Sequence, residues 1–443
     1  MTPMATAQIE PTPHPSFREA FRFWLKLGFI SFGGPTGQIA IMHQELVEKR
    51  KWISNTRFLQ GLNYCMLLPG PEAKQLAIYI GWLLHKIPGG VVAGVFFVLP
   101  SIFILFGLSL VYAVYGNIPW IAGIFSGLKP AVLAIVGAAV IKIAQKALKN
   151  GLLVGLAALS FVAIFFFEAP FPLIILSAGL LGLLGGTYFP KKFDVIKEKD
   201  GISEDAYVQY CELDQACHTD PSWKRNVSLL VVFLLLWIVP VSTLIFFHSQ
   251  SVFITEALFF TKAAFLTFGG AYAVLAYIAQ AGVEQYGWLT GPQMIDGLGL
   301  AETTPGPLIM VVQFIGFMAS WNNPGSWSPA LAGLIGSLTA TYFTFLPSFL
   351  FILLGGPYLE KFRENKKLTA ALSAITAAVV GVVLNLAVWF GMQILLPAPG
   401  RINVFGLVLG LASFAALQWG KIGMIPLILA AGAAGLLNLF LFT

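Results

Sequence analysis

Glu72, Lys74 and Gln75 follow directly on Pro69-Gly70-Pro71 in a chain of 443 residues that is 57% hydrophobic and only 10% charged. Soluble domains carry roughly 25% charged residues, so this composition marks a polytopic membrane protein. In that setting a buried ionisable side chain is expensive and functional by default. Lys74 offers a cation to an anion, and Glu72 a carboxyl that can take up and release a proton. Glu302, just before Thr303-Thr304-Pro305, is the second candidate proton carrier, whereas Asp296 fits an exposed position at the end of its segment. The plainer alternative for Glu72 and Lys74 is a local pair that neutralises itself or snorkels to the interface.

The backbone beside these residues is duplicated. Phe32-Gly33-Gly34 and Pro69-Gly70-Pro71 recur as Phe268-Gly269-Gly270 and Pro305-Gly306-Pro307 at a constant offset of 236 residues, which also relates Glu48 to Glu284 and Trp52 to Trp288. Leu99-Pro100-Ser101 matches Leu346-Pro347-Ser348 at offset 247, after an insertion around Trp321 to Ser328. Gly127-Leu128-Lys129-Pro130-Ala131-Val132 matches Ala374-Ile375-Thr376-Ala377-Ala378-Val379 at that same offset of 247. The polar chemistry is not copied: Leu308, Met310 and Val311 stand in place of Glu72, Lys74 and Gln75, and Thr376 in place of Lys129.

Non-helical backbone at membrane depth is tolerated only where protein or a watery cavity covers it. In transporters built from inverted repeats, broken helices from the two halves meet near the midplane and aim unpaired N-terminal N–H groups at anions. Gly33, Gly34, Gly70, Gly269, Gly270 and Gly306 supply the backbone freedom for such breaks. Pro35 and Pro71 open the helices that follow, and Thr36 presents a hydroxyl. With Lys74, Gln75 and Lys129 these residues form the candidate anion site, although Lys129 fits the extracellular end of its span equally well. Tight turns or close packing without a ligand compete as the explanation for the glycines.

Basic residues tell which loops face the cytoplasm. Arg18, Arg22 and Lys26, then Lys49-Arg50-Lys51, then Lys86 all fall on one side if the segments Phe17 to Glu48 and Asn55 to His85 each return to the face they left. Both are therefore expected to be re-entrant helical hairpins, broken at Gly33-Gly34-Pro35 and Pro69-Gly70-Pro71. Apolar stretches near bilayer length follow at Val91 to Tyr112, Pro130 to Ile143, Leu152 to Phe167, Leu173 to Tyr188 and Val227 to Phe247, the shorter ones borrowing flanking residues. Five spans are an odd number, so the second copy starts from the opposite face. Loop charge agrees: Gln285 to Trp288 has no basic residue, and Lys361, Arg363, Lys366 and Lys367 stand where Tyr115 to Trp120 is uncharged.

The expected fold is an all-α polytopic membrane protein of two inverted-topology repeats. Each repeat has two re-entrant helical hairpins plus about four transmembrane helices, and an extra transmembrane helix joins them. The divisions are a polar tail at 1–16, the first repeat at 17–189, a charged cytoplasmic loop at 190–225, the linking helix at 226–247 and the inverted second repeat at 253–443. The N-terminus and Lys142, Lys146, Lys149, Lys191, Lys192, Lys224, Arg225 and Lys421 lie inside, and the C-terminus outside.

The tail lacks the charged and apolar regions of a cleaved signal peptide. Three cysteines make no disulfide framework, and Cys211 with Cys217-His218 has the wrong spacing for zinc. No Walker loop or catalytic constellation is present, so neither an enzyme nor an ATP-driven pump is expected. The net charge of +6 is attributed to membrane orientation, with no nucleic-acid partner and no cofactor implied.

Phe32-Gly33-Gly34-Pro35, Leu68-Pro69-Gly70-Pro71-Glu72-Ala73 with Ile80-Gly81-Trp82, and Gly127-Leu128-Lys129-Pro130-Ala131-Val132 resemble the chromate ion transporter (CHR) family in its long, two-domain form. The resemblance covers the chain except the polar tail and central loop. It implies proton-driven export (antiport) of chromate through the inner cell membrane and chromate resistance, with sulfate as the related oxyanion and a homo-oligomer compatible with it. Because Glu72, Lys74 and Lys129 lack second-copy equivalents, the anion-handling residues carry over to the first half only. An anion channel, a transporter of sulfate or another oxyanion, and a receptor or scaffold using the loop Lys191 to Arg225 are the alternatives.

Overall fold

The computed structural model describes residues 14–32, 34–188, 222–247, 252–268, 270–358, 366–397 and 401–442, and the regular elements among them are helices. The first copy comprises α1 (Phe17–Ile30), α2 (Gly34–His43), α3 (Asn55–Leu67), α4 (Glu72–Phe96), α5 (Leu99–Tyr115), α6 (Pro119–Ala147), α7 (Gly151–Phe167) and α8 (Phe171–Tyr188). After α9 (Trp223–Phe247) the second copy runs α10 (Val252–Phe265), α11 (Ala271–Gln280), α12 (Gly291–Thr303), α13 (Val311–Asn322), α14 (Pro329–Gly355), α15 (Lys366–Leu395), α16 (Val404–Gln418) and α17 (Met424–Phe442). The duplication extends to detail: α2 and α11 both run on into a π-helical turn, at Gln44–Lys49 and Ala281–Gln285.

Seven helical stretches among the described residues are long and apolar enough to cross a membrane, so the chain is a multi-pass membrane protein. Several helices are too short, and aromatic and glycine contacts show how they fold back. Ser16 starts α1 with a capping box to Glu19, and beyond α2 the Arg50 guanidinium returns to cover Phe23 at 5.2 Å and Trp52 at 4.9 Å. Phe23 and Trp52 meet edge to face at 5.5 Å, and their second-copy equivalents Phe259 and Trp288 do so at 5.4 Å. The same aromatic contact thus recurs near the start of both copies.

The continuous stretch from Glu72 to Tyr115 also reverses. His85 leaves helical geometry at φ −139° and Lys86 at φ 55°, after which Gly89 packs on Gly81 and Gly94 on Ile78. The turn falls at His85 and Lys86. The apolar stretch Val91 to Tyr112, expected as one span, is interrupted at Phe97 and Val98 before Pro100 opens α5, because proline cannot continue the preceding helix. Pro130 to Ile143 does borrow flanking residues, becoming part of the 29-residue α6.

The longest helices, α6 and α15, occupy equivalent positions in the two copies and pack on each other. Each is wrapped by the other copy's last two helices: α16 and α17 lie on α6, α7 and α8 on α15. Lipid gives apolar side chains no reason to leave it, so such contacts depend on close approach by small residues. Gly127 and Gly435 bring α6 and α17 together, Gly182 lies on Ala370 and Ala371, and Gly381 on Ala157. The charged loop falls largely outside the described residues, Cys211, Cys217 and His218 included.

Gly81→Val is expected to destabilise the protein by about 1–3 kcal/mol through overpacking, since a side chain there meets Gly89 and Ala93. Gly155→Ala, with nothing within 4 Å, is expected to leave thermal unfolding in detergent unchanged or slightly raised.

Candidate functional site

Each Pro-Gly-Pro break docks onto the opposite copy's Phe-Gly-Gly break. The Gly70 N–H donates to the Thr267 carbonyl at 2.8 Å, and the Gly306 N–H donates to the Ser31 carbonyl at 2.7 Å. Thr267 and Ser31 are related by the same offset of 236, so the two bonds are one contact made reciprocally. Gly70 has φ +128° and Gly306 +112°, and the other breaks hold Gly34 at +69° and Gly270 at +96°. L side chains rarely adopt these angles.

Side chains complete the junction. Gln38 donates to the Gly306 carbonyl at 2.6 Å and to the Ser31 carbonyl at 3.2 Å, and Gln75 donates to the Pro69 carbonyl at 2.7 Å. The duplicated Leu-Pro-Ser element serves the same place: the Ser101 hydroxyl donates to the Pro305 carbonyl, and a side-chain carbon on Gly70 would lie 3.2 Å from Ser348 Oγ. Backbone that lipid could not solvate is thereby satisfied by protein.

Two helices begin at this junction with proline in or just before the first turn, α2 at Gly34-Pro35 and α4 after Pro71. Thr36 at the start of α2 accepts a hydrogen bond from the Lys142 ammonium of α6 at 3.0 Å. The carboxyls converge on the second copy's break: a side-chain carbon on Gly270 would lie 4.0 Å from Glu72 Oε1, and the Tyr272 hydroxyl donates to Glu302 Oε1 at 2.9 Å. The two candidate proton carriers therefore flank one short segment, Gly270 to Tyr272.

Lys74 is fully buried but does not pair with Glu72. Its ammonium crosses to the other copy, donating to the Phe345 carbonyl at 3.2 Å and lying 4.2 and 4.3 Å from the ring centroids of Phe345 and Phe349. Two aromatic faces and one carbonyl surround this amine, with no carboxylate of the described residues within ion-pair distance. Lys129 sits within α6, away from its end, 3.4 Å from Asp296 Oδ2, which also accepts from the Tyr112 hydroxyl at 2.9 Å. Asp296 is 4% exposed, which corrects the expectation of an exposed position. The reason is that α6 covers the helix that carries it.

Gly34, Pro35, Thr36, Gly70, Pro71, Gln75, Gly270 and Gly306 come together at the junction or on its helix starts, with Glu72 and Glu302 beside it; Gly33 and Gly269 lie outside the described residues. Sequence reasoning passed over Gln38, Tyr272 and Lys142. Lys142 counted only as an orientation signal, although the four-residue step to Lys146 places both on one face of α6. It also missed Glu256, a fully buried carboxyl on α10 that accepts from Ser320 at 2.7 Å.

The family described as Chromate transporter matches residues 18–183 and 254–436, that is, both copies. The chain is 28% identical to the chromate transport protein of Cupriavidus metallidurans, over 97% of this chain and 94% of that one. It is 30% identical to the chromate transport protein of Pseudomonas aeruginosa, again over 97% and 94%. A probable chromate transport protein of Synechococcus elongatus is 28% identical over 87% of this chain and 88% of its own. No solved structure matches.

Gly70→Ala and Gly306→Ala each force a side chain into positive φ and are expected to cost about 1–3 kcal/mol. Thermal melts in detergent should show losses of similar size, because the two glycines make the same contact from opposite copies.

Proposed function

Because the chain belongs to the chromate transporter family, we propose that it is a secondary transporter that exports chromate across the inner cell membrane and confers chromate resistance. Sulfate is the related substrate, since both are tetrahedral dianions offering acceptor oxygens. The proton gradient drives the exchange, with Glu72 and Glu302 carrying the proton. The two copies act as inverted repeats with re-entrant hairpins, the N-terminus in the cytoplasm.

The observation that carries this proposal is the reciprocal docking of the four helix breaks between the copies. It places irregular backbone and the starts of α2 and α4 at one interface, the arrangement by which broken helices hold an anion while two halves rock around it. The dianion rests on the N-terminal turns that follow Pro35 and Pro71, where the N–H groups and the helix dipole favour negative charge. Lys142 stands at the first of these turns. Lys74 adds a buried amine with no carboxylate of the described residues within ion-pair distance, and Lys129, which pairs with Asp296, is the second basic residue proposed for the anion. Inversion is supported by the exchange of partners around α6 and α15 and by the reversed loop charges.

Inside-out vesicles given an imposed pH difference should accumulate chromate against its gradient, which no channel can do. Lys74→Ala and Glu72→Gln should each lower the rate by roughly tenfold or more, the loss expected for about 1.4 kcal/mol of binding or barrier. Wild-type rates in both variants would refute the assignment of these residues.

A further inference from the structure

The hairpins of the two copies differ in how they are covered. On α12, Ile295 is 1% exposed, and a side-chain carbon on Gly299 would lie 3.5 Å from Val132 and 3.7 Å from Leu128 of α6. Gly291 on the same face lies against Gln393 of α15, 3.1 Å from its amide carbon by the same construction. At the matching positions of α3, Leu59 is 44% exposed and Met66, the equivalent of Glu302, 49%. Asn55 and Asn63 are exposed on that helix too, and Thr36 at the start of α2 meets the Lys142 ammonium. Hydrocarbon would solvate the amides of Asn55 and Asn63 and the Lys142 ammonium poorly, so water suits this face better. One hairpin is open and its counterpart is sealed.

An ion pair on the sealed side has no equivalent on the open one. Lys129 of α6 lies 3.4 Å from Asp296 of α12, and Tyr112 of α5 donates to the same carboxylate oxygen. The matching residues for Lys129 and Asp296 are Thr376 and Gln60. The other oxygen, Asp296 Oδ1, is buried without a hydrogen-bond partner among the described residues, so Lys129 and Tyr112 are what compensate this carboxylate. The contact joins the first copy's central helix to the second copy's hairpin, where a path past the breaks would have to open.

We propose that Lys129, Asp296 and Tyr112 form a latch that closes the transport path on the side of the second copy's α12 and parts when the anion leaves there. This rests on the transporter assignment above. With the latch engaged the protein stands open beside the first copy's α3, which is the cytoplasmic side in the proposed orientation. An exporter in this state is ready to load.

Single cysteines test it, introduced as Leu59→Cys or Ile295→Cys in a background lacking the three native cysteines. They are labelled in membrane vesicles of either orientation with an impermeant maleimide. Leu59→Cys should label rapidly from the cytoplasmic face and Ile295→Cys slowly from either. Adding Asp296→Asn or Lys129→Gln should speed labelling of Ile295→Cys by about tenfold, within the usual range of coupling between sites, and leave Leu59→Cys unaccelerated. The exchanged pair Lys129→Asp with Asp296→Lys should restore slow labelling, which a merely loosened fold would not do. Unchanged labelling of Ile295→Cys in the single variants would overturn the latch, as would equal acceleration at both positions or failure of the exchanged pair. Labelling needs no substrate, so absence of chromate transport by the wild type would sink the transporter assignment without altering these rates.

Discussion

Two backbone hydrogen bonds, Gly70 to Thr267 and Gly306 to Ser31, set the terms for the rest of the molecule. A chain that breaks its helices inside a membrane exposes N–H and C=O groups that lipid cannot satisfy. Here each copy supplies the missing partner for the other's break. Neither half is complete alone, and glycine is required at the donor because the chain must turn through positive φ to present its N–H across the interface. The two Leu-Pro-Ser elements and Gln38 then close the remaining gaps.

From that constraint the larger arrangement follows. Holding the breaks together requires the copies to interlock, and they do so by wrapping each central helix, α6 or α15, in the other copy's last helices through glycine contacts. The backbone scaffold is shared evenly, but the charges are not. Glu72, Lys74, Lys129 and Lys142 belong to the first copy, and Glu302 and Asp296, the partner of Lys129, to the second. In the proposed transport cycle the two halves rock about this common interface, and the candidate anion-binding lysines belong to one of them.

Much of this was legible in local signals. Glycine and proline punctuation marked the breaks, and α4 begins at Glu72 as the proline before it requires. The basic residue at Lys86 marked the reversal after His85, and the constant offset of 236 gave the duplication down to Trp52 and Trp288. Hidden were the contacts that depend on which copy faces which. Nothing near Asp296 announces that α6 will cover it, and the run Thr290-Gly291-Pro292-Gln293 before it has the look of a surface helix start. Lys74 drew attention for its proximity to Glu72, yet a helix places neighbours two apart on different faces, and its ammonium goes to Phe345 instead. The interruption of Val91 to Tyr112 was readable from Pro100, but hydropathy alone smooths over a break between two apolar helices.

The central claim is that a dianion rests on the helix starts at the junction of the breaks. Locating bound chromate directly, by the anomalous scattering of chromium in crystals of the protein, tests it most sharply. The account predicts chromium within hydrogen-bonding reach of the first-turn N–H groups after Pro35 or Pro71. Chromium elsewhere, with those turns unliganded, would contradict it.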